Sequence, residues 1–168
     1  MKEIPLTQGQ VALVDDEDYE WLNNFSWHYA ANTGAIRNRK IHEGPIGSLY
    51  MHREILEHHN INIVRLQVDH INGINTDNRK LNLRPATAAQ NLRNIFKYGS
   101  KGVRYEPSKR KWRARIGINR KQMHLAYFAT EIEAIEAYNK AATKYYGPYA
   151  RLNIVLEEDE GHGTDTRR

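Results

Sequence analysis

The chain has 168 residues, 40% of them hydrophobic and 27% charged, with no cysteine and a formal net charge of +5. That length allows one medium domain or two small ones, each with a modest core. No apolar run approaches the ~20 residues of a membrane span, and the lack of cysteine excludes disulfide scaffolds and Cys-ligated zinc. The charge is localised: residues 1–98 carry 11 Lys+Arg against 11 Asp+Glu, residues 99–153 carry 12 against 4, and residues 154–168 carry 2 against 5. A basic block confined to one module is the footprint of a phosphate-binding surface, whereas an even spread would serve only solubility. Met1 to Pro5 lacks the apolar stretch of a signal peptide, so a cytoplasmic location is expected.

In residues 1–64, Ile4–Thr7 and Val11–Val14 read as strands separated by Gln8-Gly9-Gln10. The acidic run Asp15–Asp18 reads as a helix start, where negative charge suits the dipole, rather than as a metal cluster. Phe25–Ala31 and Ala35–Arg39, joined through Asn32-Thr33-Gly34, form a hairpin candidate with Trp21, Trp27 and Tyr29 as core aromatics. Arg37, Arg39 and Lys40 on that hairpin are candidates for touching backbone phosphate. Leu49–His58 reads as a helix packing through Ile55 and Leu56. His52 is a candidate for approaching the metal site, but the preferred reading is a surface or packing histidine, and His58-His59 reads as solvated.

The chemistry concentrates in residues 65–98. Arg65–Val68 alternates polar and apolar residues and reads as a short strand delivering Asp69 and His70 at its end. Ile71–Asn78 is dense in Asn, Asp and Gly and reads as a loop. Leu81–Arg84 reads as a second strand ended by Pro85. Thr87-Ala88-Ala89-Gln90 has capping-box spacing, which places Asn91 in the first turns of a helix. Ala88, Leu92 and Ile95 would give that helix one apolar side against the strands. Asp69 and Asn91 offer hard oxygen ligands suited to Mg²⁺, which keeps several waters and accepts the rest of its shell from substrate phosphate. His70 is a candidate general base, and Asn82 can either accept a bond from its ring or brace the loop. Residue by residue, the plainer reading is a set of loop-edge polar groups and turn formers. Because neighbours on a strand point to opposite faces, Asp69 and His70 share a site only if the pleat breaks there.

In residues 99–153, Gly99-Ser100 reads as a hinge, followed by strands Lys101–Glu106, Lys111–Ile118 and Gln122–Ala129. The middle strand puts Trp112, Ala114, Ile116 and Ile118 on one face and Arg113, Arg115 and Gly117 on the other. Thr130-Glu131-Ile132-Glu133 is another capping box, and Ala134, Tyr138, Ala141, Ala142 and Tyr145 form a stripe that lets the helix lie close to the apolar face. Residues 154–168 turn acidic and Gly-rich and are expected to be disordered.

Asp-His-Ile-Asn-Gly at 69–73, Asp-Asn-Arg-Lys-Leu-Asn-Leu-Arg at 77–84 and Asn91 closely resemble HNH endonucleases of the phage and homing type over residues 65 to 96. Ile-Pro-Leu-Thr, Val-Asp-Asp-Glu-Asp-Tyr and Met-His-Arg in the first 64 residues look like the leader of such proteins. The resemblance implies a ββα-metal finger spanning 65–97 inside an endonuclease domain of residues 1–98, with His70 as general base, Asn82 as orienting residue, and Asp69 and Asn91 as metal ligands. Many members carry a second His where this chain has Asn91, which makes Mg²⁺, with Mn²⁺ as the alternative, the expected ion rather than Zn²⁺ or Ni²⁺. Lys-Gly-Val-Arg-Tyr, Lys-Trp-Arg-Ala-Arg-Ile and Leu-Ala-Tyr-Phe-Ala-Thr in residues 99–153 resemble the DNA-binding domain of plant ethylene-response factors of the Apetala type. That resemblance implies Lys101, Arg104, Arg113, Arg115, Gln122 and His124 facing DNA. His124 and Gly117 depart from the plant pattern, so the plant base preference does not transfer.

The expectation is therefore an α+β protein: a ββα-metal finger with a mixed leader, then a three-stranded antiparallel sheet packed on one helix. The expected activity is metal-dependent DNA cleavage, by nicking or double-strand cutting, on double-stranded DNA in a bacterial or phage-infected cell, as monomer or homodimer and without a membrane. The alternative is a non-catalytic, sequence-specific DNA-binding regulator using the C-terminal sheet. RNA is a third possible substrate.

Overall fold

The computed structural model describes residues 1–38, 47–95 and 100–155. These residues form a mixed α and β chain of four helices and small antiparallel sheets, divided into two compact units, Met1–Phe96 and Lys97–Arg168. No helix among them is long and apolar enough to cross a membrane. Arg39, Lys40 and Gly99, and the acidic segment from residue 156 onward, lie outside the described residues.

The first unit opens with an antiparallel hairpin of β1 (Lys2–Pro5) and β2 (Val11–Val14), which buries Ile4, Ala12 and Val14 on one face. Helix α1 (Asp16–Leu22) follows with Asp16, Glu17 and Asp18 in its first turn, where they oppose the positive end of the dipole. Asp15 makes no side-chain cap on its own helix; its carboxylate instead accepts the backbone N–H of Lys80 at 2.7 Å. Strands β3 (His28–Ala30), β4 (Gly34–Asn38) and β5 (Ser48–Tyr50) form a sheet in that order, and α2 (Met51–His58) buries Met51, Ile55 and Leu56 in the core beside Leu22 and Trp27. Each such aliphatic side chain contributes roughly 1.5–3 kcal/mol by leaving water.

Arg37 does not reach solvent as a phosphate contact. Its guanidinium pairs with Glu54 at 3.1 Å and lies 4.0 Å over the Phe25 ring, with the residue 6% exposed. Burial decides the matter: an arginine this enclosed braces β4 against α2.

Strand β6 (Gln67–His70) pairs antiparallel with β7 (Leu83–Ala86), and α3 (Ala88–Asn91) follows. Both strands start two residues later than the sequence pattern predicts. Lys80–Asn82 forms a 3-10 turn, and Pro85 sits inside β7 opposite Val68 rather than ending it. A two-stranded sheet leaves an open edge on each strand, so the missing proline N–H breaks no ladder. The capping box at Thr87 and Gln90 is present, with both reciprocal bonds formed. The apolar side expected of this helix is not: Ala88 is exposed, and Leu92 and Ile95 are 66% and 46% exposed. The regular helix ends at Asn91, so the i, i+4, i+7 stripe has no continuous helix to carry it.

The loop between β6 and β7 is pinned from two sides. Leu13 N–H donates to the Thr76 carbonyl at 2.9 Å and Asn78 N–H to the Leu13 carbonyl at 2.8 Å, tying the loop to β2. On the other side, Asn75 donates its amide to the Ala31 carbonyl at 2.8 Å. Gly34 makes this approach possible: its φ is +78°, and a Cβ there would stand 1.9 Å from the Asn75 carbonyl oxygen.

The second unit is a β8 (Val103–Glu106), β9 (Lys111–Ile118), β10 (Lys121–Phe128) meander, with β9 central, covered by α4 (Glu131–Tyr146). Asn119 and Arg120 both have positive φ, giving β9 and β10 a two-residue turn whose twist matches the hairpin. Leu125 is the extra residue of a bulge between the pairs His124↔Arg115 and Ala126↔Ala114. The Thr130–Glu133 capping box starts α4, which buries Ala134, Ile135, Tyr138, Ala141 and Ala142. Tyr145 is 41% exposed and leaves the expected stripe; Tyr146 packs instead and donates its hydroxyl to the Gly117 carbonyl at 2.6 Å. Asn153 closes the unit by bonding both the backbone N–H and the carbonyl of Lys101, at 2.7 and 2.9 Å.

Candidate active site

A cleft of about 620 Å³ in the first unit is lined by Asp69, His70, Asn91 and Asn94 together with His52 of α2 and Asn75 of the pinned loop. Gln67, Val68, Asp69 and His70 all line it. Asp69 and His70 both border the cleft from one unbroken strand.

His70 is held by Asn78. Its Nε2 lies 3.3 Å from the Asn78 Oδ1, while the Asn78 amide nitrogen donates to the Thr76 carbonyl at 3.3 Å. The amide is thereby oriented with its oxygen toward the ring, which places the ring proton on Nε2 and leaves Nδ1 with a free lone pair. Burial lowers the pKa of His70 from its ordinary value, against the opposing pull of the Asn78 bond and the negative charges of Asp69 and Asp77. The imidazole is thus neutral at neutral pH, with a lone pair able to take a proton.

Asn82 does not orient this ring. It is 8% exposed, and its amide donates to the Asp77 carbonyl at 2.7 Å and the Asn72 Oδ1 at 3.0 Å while its oxygen accepts the Asn72 N–H at 3.0 Å. Three bonds to one loop make it the brace of that loop. Asp77, bonded by Arg79 at 2.7 and 2.8 Å and held below the usual carboxylate range by that contact, completes the frame.

Asp69 is 3% exposed and bonded at both oxygens. Arg84, its cross-strand partner, donates from Nε at 2.8 Å and from Nη2 at 2.5 Å to Oδ2, and Asn94 donates to Oδ1 at 2.9 Å. Asn94 also bonds the carbonyls of His70 and Ile71, at 2.7 and 3.2 Å, and so clamps the end of β6. Asn91 donates its amide to Gln67 at 2.8 Å, which turns its carbonyl oxygen the other way as an acceptor. Asn78, Asn94 and Arg84 are the site residues that sequence reasoning missed. Only Arg84 left a signal, since an antiparallel register pairing Val68 with Pro85 sets it opposite Asp69.

Elsewhere in this unit His59 is not solvated: its Nε2 lies 2.9 Å from Asp18 Oδ1, to which the Trp21 indole also donates at 3.1 Å, and His58 stacks on Trp21 at 4.6 Å. Glu17, Asp18 and His59 offer ligand atoms within 4.8 Å of one another. The Lys80 ammonium already pairs with Glu17, so the group reads as an ion-pair network tying α1 to the end of α2.

In the second unit, Arg104, Arg115, Gln122 and His124 are exposed. The pairs Arg104↔Arg113, His124↔Arg115 and Gln122↔Gly117 put them on one face of the sheet. Tyr127, paired with Arg113, joins that face, its ring 4.7 Å from His124 and capped by the Lys109 ammonium at 4.2 Å. Arg113 is more enclosed and pairs with Glu106 at 3.4 Å, so it serves the sheet before any ligand. Lys101 precedes β8, its backbone held by Asn153. No protein-family model matches the chain, and no solved structure matches it significantly.

Proposed function

We propose that this chain is a divalent-metal-dependent DNA endonuclease that hydrolyses phosphodiester bonds at the His70 cleft and grips duplex DNA through the arginine face of its second unit. The observation that carries this reading is a His70 held at Nε2 by the Asn78 amide oxygen, the arrangement that leaves Nδ1 to act as base, in a cleft lined also by Asp69 and Asn91. The resemblance of residues 65 to 96 to HNH endonucleases supports reading β6, the pinned loop, β7 and α3 as a ββα-metal finger.

The donor set suits a hard cation. Asp69 Oδ2 is spent on two bonds from Arg84, but Oδ1 accepts only from Asn94 and keeps a lone pair, and the Asn91 carbonyl oxygen is turned away from Gln67. Asp69 and Asn91 would hold Mg²⁺ or Mn²⁺, which when bound supplies charge stabilisation at the phosphate. His70 takes the proton of the attacking water at Nδ1 as the water oxygen bonds phosphorus and the bond to the 3′-oxygen breaks. Asp69 and Asp77 favour the imidazolium this creates. Asn78 keeps the Nε2 proton and so keeps the ring aimed.

The regulator reading draws on one observation: Arg84 already neutralises Asp69, as expected of a finger kept only as a brace. Cleavage of a labelled duplex separates the two. Wild-type protein with Mg²⁺ or Mn²⁺ is expected to give 5′-phosphate and 3′-hydroxyl ends, with His70→Ala slower by roughly 10²–10⁴-fold at unchanged DNA affinity. Duplex left intact by wild type in both metals favours the regulator, and a parallel RNA substrate tests the third class.

A further inference from the structure

The cleft holds a second imidazole that the proposed mechanism does not use. His52, on the first turn of α2, stacks on Tyr50 at 5.7 Å and meets the His70 ring edge-on at 5.2 Å. Its Nδ1 is buried with no hydrogen-bond partner, and neither ring nitrogen bonds another described residue. Among the described residues the other two enclosed histidines behave differently: His59 is spent on Asp18 and His70 on Asn78.

Burial, with the positive charge of Arg53 and the nearby His70 adding to it, drives the pKa of His52 down to about 3. The ring is therefore neutral, with one N–H and one lone pair, and either tautomer leaves a donor without an acceptor. A ring kept only as an apolar wedge against His70 gains nothing from a buried Nδ1 that costs stability unbonded. Arg53, its neighbour on α2, spends its guanidinium on the Leu66 and Ile63 carbonyls at 2.9 and 3.5 Å. Arg53 also lines the cleft and keeps its positive charge there, so an anion would meet a cation as well as the neutral donors of His52 and the lining amides.

We infer that His52 is a substrate-contacting residue that donates its Nε2–H, the ring nitrogen that is not buried, to a non-bridging oxygen of the phosphodiester bound beside His70. The inference rests on the nuclease reading for its choice of anion. The contact is neutral, so it orients the phosphate without opposing protonation of His70.

Two measurements on the full chain test it. In EDTA, with duplex DNA added to saturation, imidazole ¹⁵N spectra are expected to show a hydrogen-bonded His52 N–H that free protein lacks. Unchanged His52 signals overturn the proposal whether or not the protein cleaves. In single-turnover cleavage, His52→Phe keeps the ring against His70 and removes both nitrogens; it is expected to lose about 10- to 100-fold. A single phosphorothioate at the scissile position should slow wild type and leave His52→Phe unaffected. Cleavage by His52→Phe within about twofold of wild type, at the same thermal midpoint, contradicts the contact and leaves a packing role. A wild-type protein that never cuts defeats the nuclease reading alone, since the spectra still decide whether DNA meets His52.

Discussion

His70 and His52 lie ring against ring, yet only one has its proton assigned by a neighbour. That neighbour, Asn78, is 0% exposed and lies eight residues along the loop, so its role is positional. Asn78→Ala is expected to leave DNA binding intact, to lower the cleavage rate by about tenfold through the loss of one aiming bond, and to mix the two neutral tautomers of His70 in ¹⁵N spectra. A purely structural role would leave the tautomer signals unmoved. His52 has its own pH signature. Its pKa is about 3 folded and near 6.5 unfolded, so the unfolded chain binds the extra proton between those values. Stability is expected to fall as pH drops from 6.5 toward 4.5, with His70, also lowered, acting in the same direction. In urea unfolding, the fall should be shallower for His52→Gln, and parallel curves would contradict the assignment. Asp69, His70 and Asn91 were grouped by the resemblance of residues 65–96 to HNH endonucleases, and all three line the cleft. Asn78 and Asn94 were not legible, because their partners are set by how the loop closes, and nothing in their local sequence separates them from ordinary turn asparagines.

The local turn chemistry was legible wherever it is self-contained. Both capping boxes form as written, and β9 runs over the predicted residues because its alternation continues through eight positions. Strands β6 and β7 were displaced by two residues, since four-residue strands carry too few alternations to fix their ends. The stripe of Ala88, Leu92 and Ile95 failed for a related reason: helical spacing means nothing where the helix stops after four residues. The element that matters most for the site is one the sequence hides, the close seat of the β6–β7 loop on Gly34. Gly34→Ala would drive a Cβ into the Asn75 backbone and should cost about 2–4 kcal/mol with loss of cleavage. Gly9→Ala is the control: its φ of +67° is equally unsuited to alanine, but nothing lies within 4 Å, so about 1–2 kcal/mol and unchanged cleavage are expected. Equal effects in chemical denaturation would show that the loop is not seated as described.

At the scale of the molecule, charge and chemistry fall in different units. The basic excess of residues 99–153 was plain from the sequence, and the sheet of the second unit exposes Arg104, Arg115, Gln122 and His124 on one face. Arg113 shows what charge counting misses, since its cross-sheet pairing with Glu106 follows only from register. If the sheet supplies affinity and the cleft supplies chemistry, the two should separate kinetically. Arg115→Ala is expected to weaken duplex binding by about 1–3 kcal/mol if it meets a base edge, or to lower the salt slope by about one if it meets a phosphate. Either way the rate at saturating DNA stays the same, whereas a drop in that rate would place Arg115 in the chemistry. The most direct test of the whole account is nicking of supercoiled plasmid by purified protein in Mg²⁺, comparing wild type with His70→Ala at equal DNA occupancy. The account predicts relaxed plasmid from wild type and almost none from the variant; equal rates, or intact plasmid from both, would contradict it.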